Sequence, residues 1–247
     1  NPAIANQMRK VASELQRQDF IHEARDICQM LIQSKFVQAA DYVILAQTYK
    51  TVLVDEDKAN RAMQCLKKAE ALDPEFGETY TLMARIANED GRYKEGLALS
   101  NKALNCKAPD NRALEYKATA LANLNRNEEA LQTIELALKH YSWVPELHRI
   151  KGSVLENLGR YSQAVDAYRK AWQLHHTDWN VFRIAHCLEM QNKFGEAIEE
   201  LSQQIKRNPK DGEAFRSRAL LKIKSKDVPG AIKDFDTCIV LEPTAKT

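Results

Sequence analysis

The stretch PELHRIKGSVLENLGRYSQAVDAYRKAWQLHHT, residues 145–177, contains the pattern that decides the fold. The apolar residues between Leu147 and Leu158 recur at the three- and four-residue spacing of an amphipathic helix. Gly159 then interrupts the pattern at the place where a chain leaving a helix favours a positive φ angle. A second amphipathic run follows, with Ser162 predicted as its N-cap. The stretch therefore predicts two short helices joined by a tight turn.

The same hairpin recurs along the whole chain at a fixed period. A small residue marks each copy, and from Ala62 onward the marker (Ala62, Gly96, Ala130, Ala164, Ala197, Ala231) is spaced by 34, 34, 34, 33 and 34 residues. The first interval, from Ala24 to Ala62, is 38 residues because four extra residues fall near 53–57. The chain is therefore predicted to be one array over 1–247, with units at approximately 5–38, 39–76, 77–110, 111–144, 145–177, 178–211 and 212–245.

Side-chain size within the units predicts how the hairpins pack. The eighth position is always small, which lets the two helices approach closely: Ala12, Ala46, Ala84, Ala118, Gly152, Ala185 and Ala219. The twenty-fourth position carries large groups predicted to fill the space between units, namely Leu66, Ile134, Tyr168, Leu201 and Phe235. Cys28, Cys187, Cys238 and Trp172 also fall on predicted packing positions. Because one hairpin cannot bury its apolar face alone, the stacked units should share a continuous core.

This pattern resembles the tetratricopeptide repeat family over essentially the whole chain. The family signature has small residues at positions 8, 20 and 27 and proline at position 32. Position 27 is Ala69, Ala103, Ala137 and Ala171 here, and position 32 is Pro74, Pro209 and Pro243; position 4, ideally Trp, departs from the signature. The resemblance implies an all-α, right-handed superhelical solenoid of about seven helix-turn-helix repeats whose first helices line a concave groove. A long coiled coil is excluded, because Pro and Gly break the helices.

Composition excludes several other classes of protein. The 36 basic and 34 acidic residues leave a charge of +2, and 44% of residues are hydrophobic, which is too many for a disordered chain. Eight glycines exclude a collagen-like chain, and no apolar run is long enough for a transmembrane segment. Five cysteines without a CxxC pair favour a reducing, cytoplasmic location. A start at Asn1 without an apolar leader predicts a fragment or processed chain with no targeting signal.

No motif of catalytic or cofactor chemistry is present, so we expect a non-enzymatic protein without cofactor or metal. The most suggestive group is His175 and His176, with Asp178 and His186 nearby. Adjacent side chains on a helix point about 100° apart, and 175–178 lies in a predicted turn, so these are interpreted as surface histidines.

The resemblance implies that positions 2, 5, 6, 9, 12 and 13 of each unit face the groove. Arg149, Arg183 and Arg216 then form a basic line in a partly aromatic channel, which suits a peptide with acidic and apolar side chains. For Trp179, ligand contact and packing between first helices both remain open. The predicted partner-binding residues are Arg149, Asn157, Trp179, Phe182, Arg183, His186, Arg216 and Lys224.

The predicted function is a scaffold that binds a protein or peptide partner in this groove. The alternative is a recognition or regulatory arm of a larger enzyme, such as a glycosyltransferase, or of a secretion or polysaccharide-export machine. Chaperone C-terminal tails are disfavoured, because the family's carboxylate clamp needs a cation where Glu213 stands. Residues 206–233 carry nine basic and three acidic side chains; solvated helix faces explain this better than an acidic partner, and nucleic acid is disfavoured.

The last unit is predicted to leave apolar residues uncovered. Phe235, Ile239 and Val240 have no evident covering helix. Since repeat arrays usually end in a polar cap, we expect either that the natural chain continues past Thr247 or that this end forms a homo-oligomer.

Overall fold

The computed structural model describes residues 1–52 and 57–241, whose regular elements are fourteen α-helices arranged in two compact units. The first unit, residues 1–126, contains α1 (Pro2–Arg17), α2 (Ile21–Ile32), α3 (Ala39–Val52), α4 (Asp57–Leu72), α5 (Gly77–Glu89), α6 (Tyr93–Asn105) and α7 (Ala113–Asn123). The second unit, residues 127–247, contains α8 (Asn127–His140), α9 (Pro145–Asn157), α10 (Tyr161–Leu174), α11 (Asp178–Met190), α12 (Phe194–Arg207), α13 (Gly212–Lys224) and α14 (Val228–Leu241).

The helix starts reproduce the predicted repeat register. Five predicted unit boundaries coincide with the first residue of a helix, at Ala39, Gly77, Pro145, Asp178 and Gly212. The all-α fold of helix-turn-helix repeats is therefore confirmed. The single array over 1–247 stays a prediction, and most of the insertion predicted near 53–57 lies outside the described residues.

The turns inside the hairpins repeat with the same period. Each of the six turns that the structure describes carries one residue with a positive φ, and from Gly91 onward these residues are spaced by 34, 34, 33 and 34 positions: Asp19 (66°), Gly91 (75°), Asn125 (59°), Gly159 (71°), Asn192 (58°) and Lys226 (69°). After Gly159 the Arg160 N–H donates to the Leu155 carbonyl at 2.8 Å, which closes the helix end. The predicted cap at Ser162 was wrong. The chain reverses within three residues, so α10 already begins at Tyr161, with Arg160 at the cap position.

The predicted packing positions form the cores. All seven residues of the eighth position are buried, as are Cys28, Cys187 and Cys238. Gly152 shows the reason, since a Cβ there would lie 2.6 Å from the ring of the fully buried Tyr168. At this position α9 and α10 thus approach at a distance that only glycine permits. The twenty-fourth position is also buried except at Phe235, which is half-buried.

Trp172 departs from its predicted place in the core. It is half-buried and packs against the edge of the second unit's core, while its ring stacks on His176 with 4.2 Å between centroids. The Arg207 guanidinium lies 4.7 Å from the Trp172 centroid.

A buried carboxylate fastens the last hairpin, α13 and α14. Asp234 accepts from Arg218 Nε at 2.8 Å and pairs with Lys222 Nζ at 2.8 Å. Burial raises the pKa of this carboxyl, but the hydrogen bonds from Arg218 and Lys222 outweigh burial and hold it below its usual range. Two of the nine basic residues in 206–233 are therefore structural. Ile239 and Val240 on α14 are strongly exposed.

None of the described helices combines the length and the apolar character that crossing a bilayer requires.

Candidate functional site

The first helices of three successive hairpins, α9, α11 and α13, are linked side by side through their side chains. Arg183 of α11 pairs with Glu156 of α9, and Lys224 of α13 pairs with Glu189 of α11. We call the surface that carries these pairs the first-helix face. It comprises Glu146, Arg149, Glu156, Asn157, Trp179, Phe182, Arg183, His186, Glu189, Met190, Glu213, Arg216, Leu220, Ile223 and Lys224.

Trp179 stands at the start of α11, with 44% of its surface exposed. Its ring meets the ring of Tyr168 edge-on, with centroids 5.7 Å apart. The guanidinium groups of Arg149 and Arg183 lie 5.2 Å and 5.8 Å from the indole centroid. Each such contact contributes about 0.5–1 kcal/mol at an exposed site. The indole is therefore held in one orientation but still presents part of its surface to a ligand.

Glu156 is the carboxylate that organises this region. Its side chain is only 9% exposed, and it forms the ion pair with Arg183. Its Oε1 lies 3.0 Å from His186 Nδ1, while its Oε2 accepts from the Tyr168 hydroxyl at 2.9 Å. Burial and the Glu156 charge raise the pKa of Tyr168, so the hydroxyl stays a donor. Glu156 thus positions Arg183 and His186 on the first-helix face.

Three side chains here could also act as metal ligands. The ligand atoms of Glu156, His186 and Cys187 lie within 4.8 Å of one another. Burial raises the pKa of the Cys187 thiol to about 12, so it is protonated at neutral pH. The Glu156 carboxylate already forms an ion pair with Arg183, and a divalent ion would have to displace that guanidinium. The contacts fit a hydrogen-bonded network better than a metal centre.

The cations of the first-helix face are all paired, which corrects the predicted basic line. Arg149 donates from Nε to Glu146 at 2.6 Å, and Arg216 donates from Nε to Glu213 at 3.0 Å. Both pairs join residues three apart on one helix, an arrangement that brings side chains together. With Arg183–Glu156 and Lys224–Glu189, four cations meet four carboxylates. The face is therefore close to neutral.

The other predicted residues divide between the face and the core. Asn157 is exposed at the end of α9, and His186 is exposed beside Glu156. Phe182 is half-buried and packs against the core of the second unit. His175 and His176 are exposed, as predicted, and His176 contacts Trp172 instead of the Glu156 network.

The predicted set of binding residues omitted two features of this face. One is Glu156, which stands at position 12 of its unit, a groove position of the repeat pattern; its role was missed because its partners lie 27 and 30 residues further along the chain. The other is the exposure of three large apolar side chains, Met190, Leu220 and Ile223. All three also occupy groove positions of the repeat pattern, which was the signal available in the sequence.

A tetratricopeptide repeat family model matches residues 116–174. This segment therefore carries tetratricopeptide repeats. The protein resembles a chain from the crystal structure of the APC/C hetero-tetramer Cut9–Hcn1, with a TM-score of 0.70 and 16% identity over 98% of this chain and 49% of that one. It also resembles YrrB, described as a tetratricopeptide repeat protein with an unusual peptide-binding site, with a TM-score of 0.61 and 20% identity over 74% of this chain and 95% of that one.

Among curated proteins, the repeat chain is similar to the Hsp70-Hsp90 organizing protein of Triticum aestivum. The two are 29% identical over 194 residues, which cover 74% of this chain and 32% of the relative. The chain thus spans about a third of the length of the curated relatives it matches. The repeat fold and these relatives support a protein-interaction scaffold.

Proposed function

We propose that this chain is a non-enzymatic scaffold that binds a peptide or protein segment on the first-helix face of the second unit. The observation that carries the proposal is Trp179, a half-exposed aromatic ring whose centroid lies 5.2 Å from the Arg149 guanidinium and 5.8 Å from that of Arg183. Large aromatic side chains with restricted motion lose little entropy on binding and dominate protein interfaces. Packing between first helices alone does not account for the exposed part of the ring.

The relatives are named for Hsp70 and Hsp90, which makes chaperones candidate partners of this chain as well. A clamp for a C-terminal carboxylate remains disfavoured on this face. The nearest set of residues is Arg149 with Ser153, then Arg183, then Glu213 with Ser217, and in the third hairpin the carboxylate of Glu213 takes the place of the required cation. That carboxylate also holds Arg216. A chaperone partner would therefore bind through another segment than its C-terminal tail.

The alternative role, a recognition arm of a larger enzyme or export machine, would use the same face and stays a prediction. A cytoplasmic location and the absence of nucleic-acid binding also remain expectations. For nucleic acid, the structural roles of Arg218 and Lys222 and the pairing of Lys224 reduce the charge that residues 206–233 offer to phosphates.

The test is to identify a partner by affinity capture and mass spectrometry, and then to measure its affinity by isothermal titration with purified variants. Trp179→Ala should weaken binding by about 10- to 30-fold, the loss typical of a central aromatic contact. Trp143→Ala is the matched control, because Trp143 is 65% exposed in the turn before α9 and lies outside the first-helix face. Equal affinities of the Trp179 variant and the unmodified chain would refute the site.

A further inference from the structure

We propose that the first-helix face recognises its partner through apolar side chains, and that its ligand is a segment carrying several large aliphatic or aromatic residues and no net charge. The inference rests on the proposed function and specifies the chemistry of the partner. It departs from the sequence-based prediction, a ligand with both acidic and apolar side chains, by excluding the acidic part.

The positive and negative charges of the first-helix face balance. Arg149, Arg183, Arg216 and Lys224 pair with Glu146, Glu156, Glu213 and Glu189 respectively. A carboxylate from a ligand would have to compete with a carboxylate that the face already holds. At Arg183 the competitor is Glu156, which is almost fully buried and also bonded to Tyr168. Separating that pair would leave a buried charge without its cation, which is strongly unfavourable.

Apolar surface remains exposed between these ion pairs. Met190, Leu220 and Ile223 are 49%, 48% and 48% exposed, and Trp179 is 44% exposed. Leu220 and Ile223 are three residues apart on α13, so they share one side of that helix. The Lys224–Glu189 pair joins the C-terminal ends of α11 and α13, which places Met190 and Ile223, the neighbours of that pair, at the same end of the face.

The balanced charges and the exposed apolar side chains both favour an uncharged, apolar ligand. A neutral face gives no long-range attraction for an acidic segment, so electrostatic steering contributes little. Burying four half-exposed apolar side chains favours association irrespective of salt. The expected occupant is therefore an uncharged segment of a partner protein, with Leu, Ile, Met or Phe side chains that cover Trp179, Met190, Leu220 and Ile223.

Fluorescence anisotropy with the full chain tests this with two labelled peptides of equal length. One contains Leu, Ile and Phe among Gln and Ser; in the other, Glu and Asp replace the Gln and Ser. We expect the neutral peptide to bind at least about 10-fold more tightly, with less than about a twofold change in affinity between about 50 and 500 mM salt. Tighter binding of the acidic peptide, with affinity falling steeply as salt rises, would overturn the inference.

Variants connect the binding to the face. The double substitution Leu220→Ser, Ile223→Ser should weaken the neutral peptide about 10-fold or more. Ile232→Ser is the control, because Ile232 is 55% exposed on α14, outside the first-helix face. The triple substitution Glu146→Gln, Glu189→Gln, Glu213→Gln removes three carboxylates and should increase the affinity for the acidic peptide. An unchanged affinity for the acidic peptide would contradict the role given to the ion pairs.

The outcomes separate this inference from the proposed function. If Trp179→Ala weakens an acidic ligand and the serine variants have no effect, the binding site stands and the apolar chemistry is wrong. If neither peptide binds, the inference fails, while a captured partner that loses affinity in Trp179→Ala still supports the function. If neither the peptides nor a partner respond to Trp179→Ala, both fail.

Discussion

Replacing Glu156 with Gln should destabilise the second unit by about 2 kcal/mol. The substitution keeps the shape of the side chain and one carbonyl acceptor, but it removes a charge that is 9% exposed and bonded to Arg183, His186 and Tyr168. A hydrogen bond to a charged group contributes about 1.5–3 kcal/mol and a neutral one about 0.5–1.5 kcal/mol. The bond from the Tyr168 hydroxyl becomes a neutral one and loses about 1–1.5 kcal/mol, and the contacts with Arg183 and His186, which lose the carboxylate charge, supply the remainder.

The matched control is Glu146→Gln on the same helix. Glu146 also pairs with an arginine, Arg149, but the two side chains are 40% and 37% exposed. Solvent screens such a pair, so the expected loss is below about 0.5 kcal/mol. The contrast between the two glutamates isolates the effect of burial from the effect of losing an ion pair.

Urea denaturation followed by tryptophan fluorescence measures both variants. All three tryptophans, Trp143, Trp172 and Trp179, lie in the second unit, so the signal reports on that unit. An unchanged dependence of the unfolding free energy on urea would show that the substitution has not altered the denatured state. If the two variants lose the same stability, Glu156 does not organise this region and the argument for the positioning of Arg183 is wrong.

Three further outcomes are expected. Gly152→Ala should destabilise the second unit by about 1–3 kcal/mol in the same urea assay, because the new methyl group would overlap the ring of Tyr168. Asp234→Asn should lower the free energy of unfolding by about 3 kcal/mol at pH 7, since it leaves Arg218 without its buried carboxylate. Because the pKa of Asp234 is lowered in the folded state, this difference in stability should shrink as the pH falls below about 4. The buried Cys187 thiol, whose pKa is raised to about 12, should resist alkylation at pH 8 until the chain unfolds, as mapped by mass spectrometry.

Each of these outcomes has a control in the chain. Gly195→Ala adds a methyl group on α12 where no atom lies within 4 Å, so it should leave stability unchanged or raise it slightly. Glu196→Gln removes an exposed carboxylate paired with Lys193 and should show little of the pH dependence expected at Asp234. Cys106 is only partly buried and should be alkylated before Cys187. Equal alkylation rates for the two cysteines in the folded chain would contradict the burial argument.

The repeat architecture could be predicted because its signals are local and periodic. Small residues at fixed positions, such as Ala118 and Gly152, must recur wherever two helices approach closely. The positive φ at Gly159 and Gly91 was predictable from glycine following an apolar run. The N-terminal boundary of α10 was missed by two residues, because the helix is capped at Arg160, which makes no side-chain cap hydrogen bond, and not at Ser162.

The candidate site could be predicted only in part. Position within the repeat placed Trp179, Arg183 and Lys224 on one face, since every first helix presents the same positions. The ion pairs Glu146–Arg149 and Glu213–Arg216 could also have been predicted, because each joins an acidic and a basic residue three positions apart on one helix. The prediction of a basic line considered only the arginines. In the structure each of these arginines pairs with a carboxylate, so their charges are balanced.

The amino-acid sequence by itself determined the helical hairpins, their period and the residues that pack between them, because these depend on the size and spacing of neighbours along the chain. The tertiary structure alone decided that Glu156 is buried against Arg183 and His186, and that Met190, Leu220 and Ile223 stay exposed. Such pairings join residues about one repeat apart. Their charge balance depends on the distance and direction between side chains of stacked helices, which composition and periodicity do not contain.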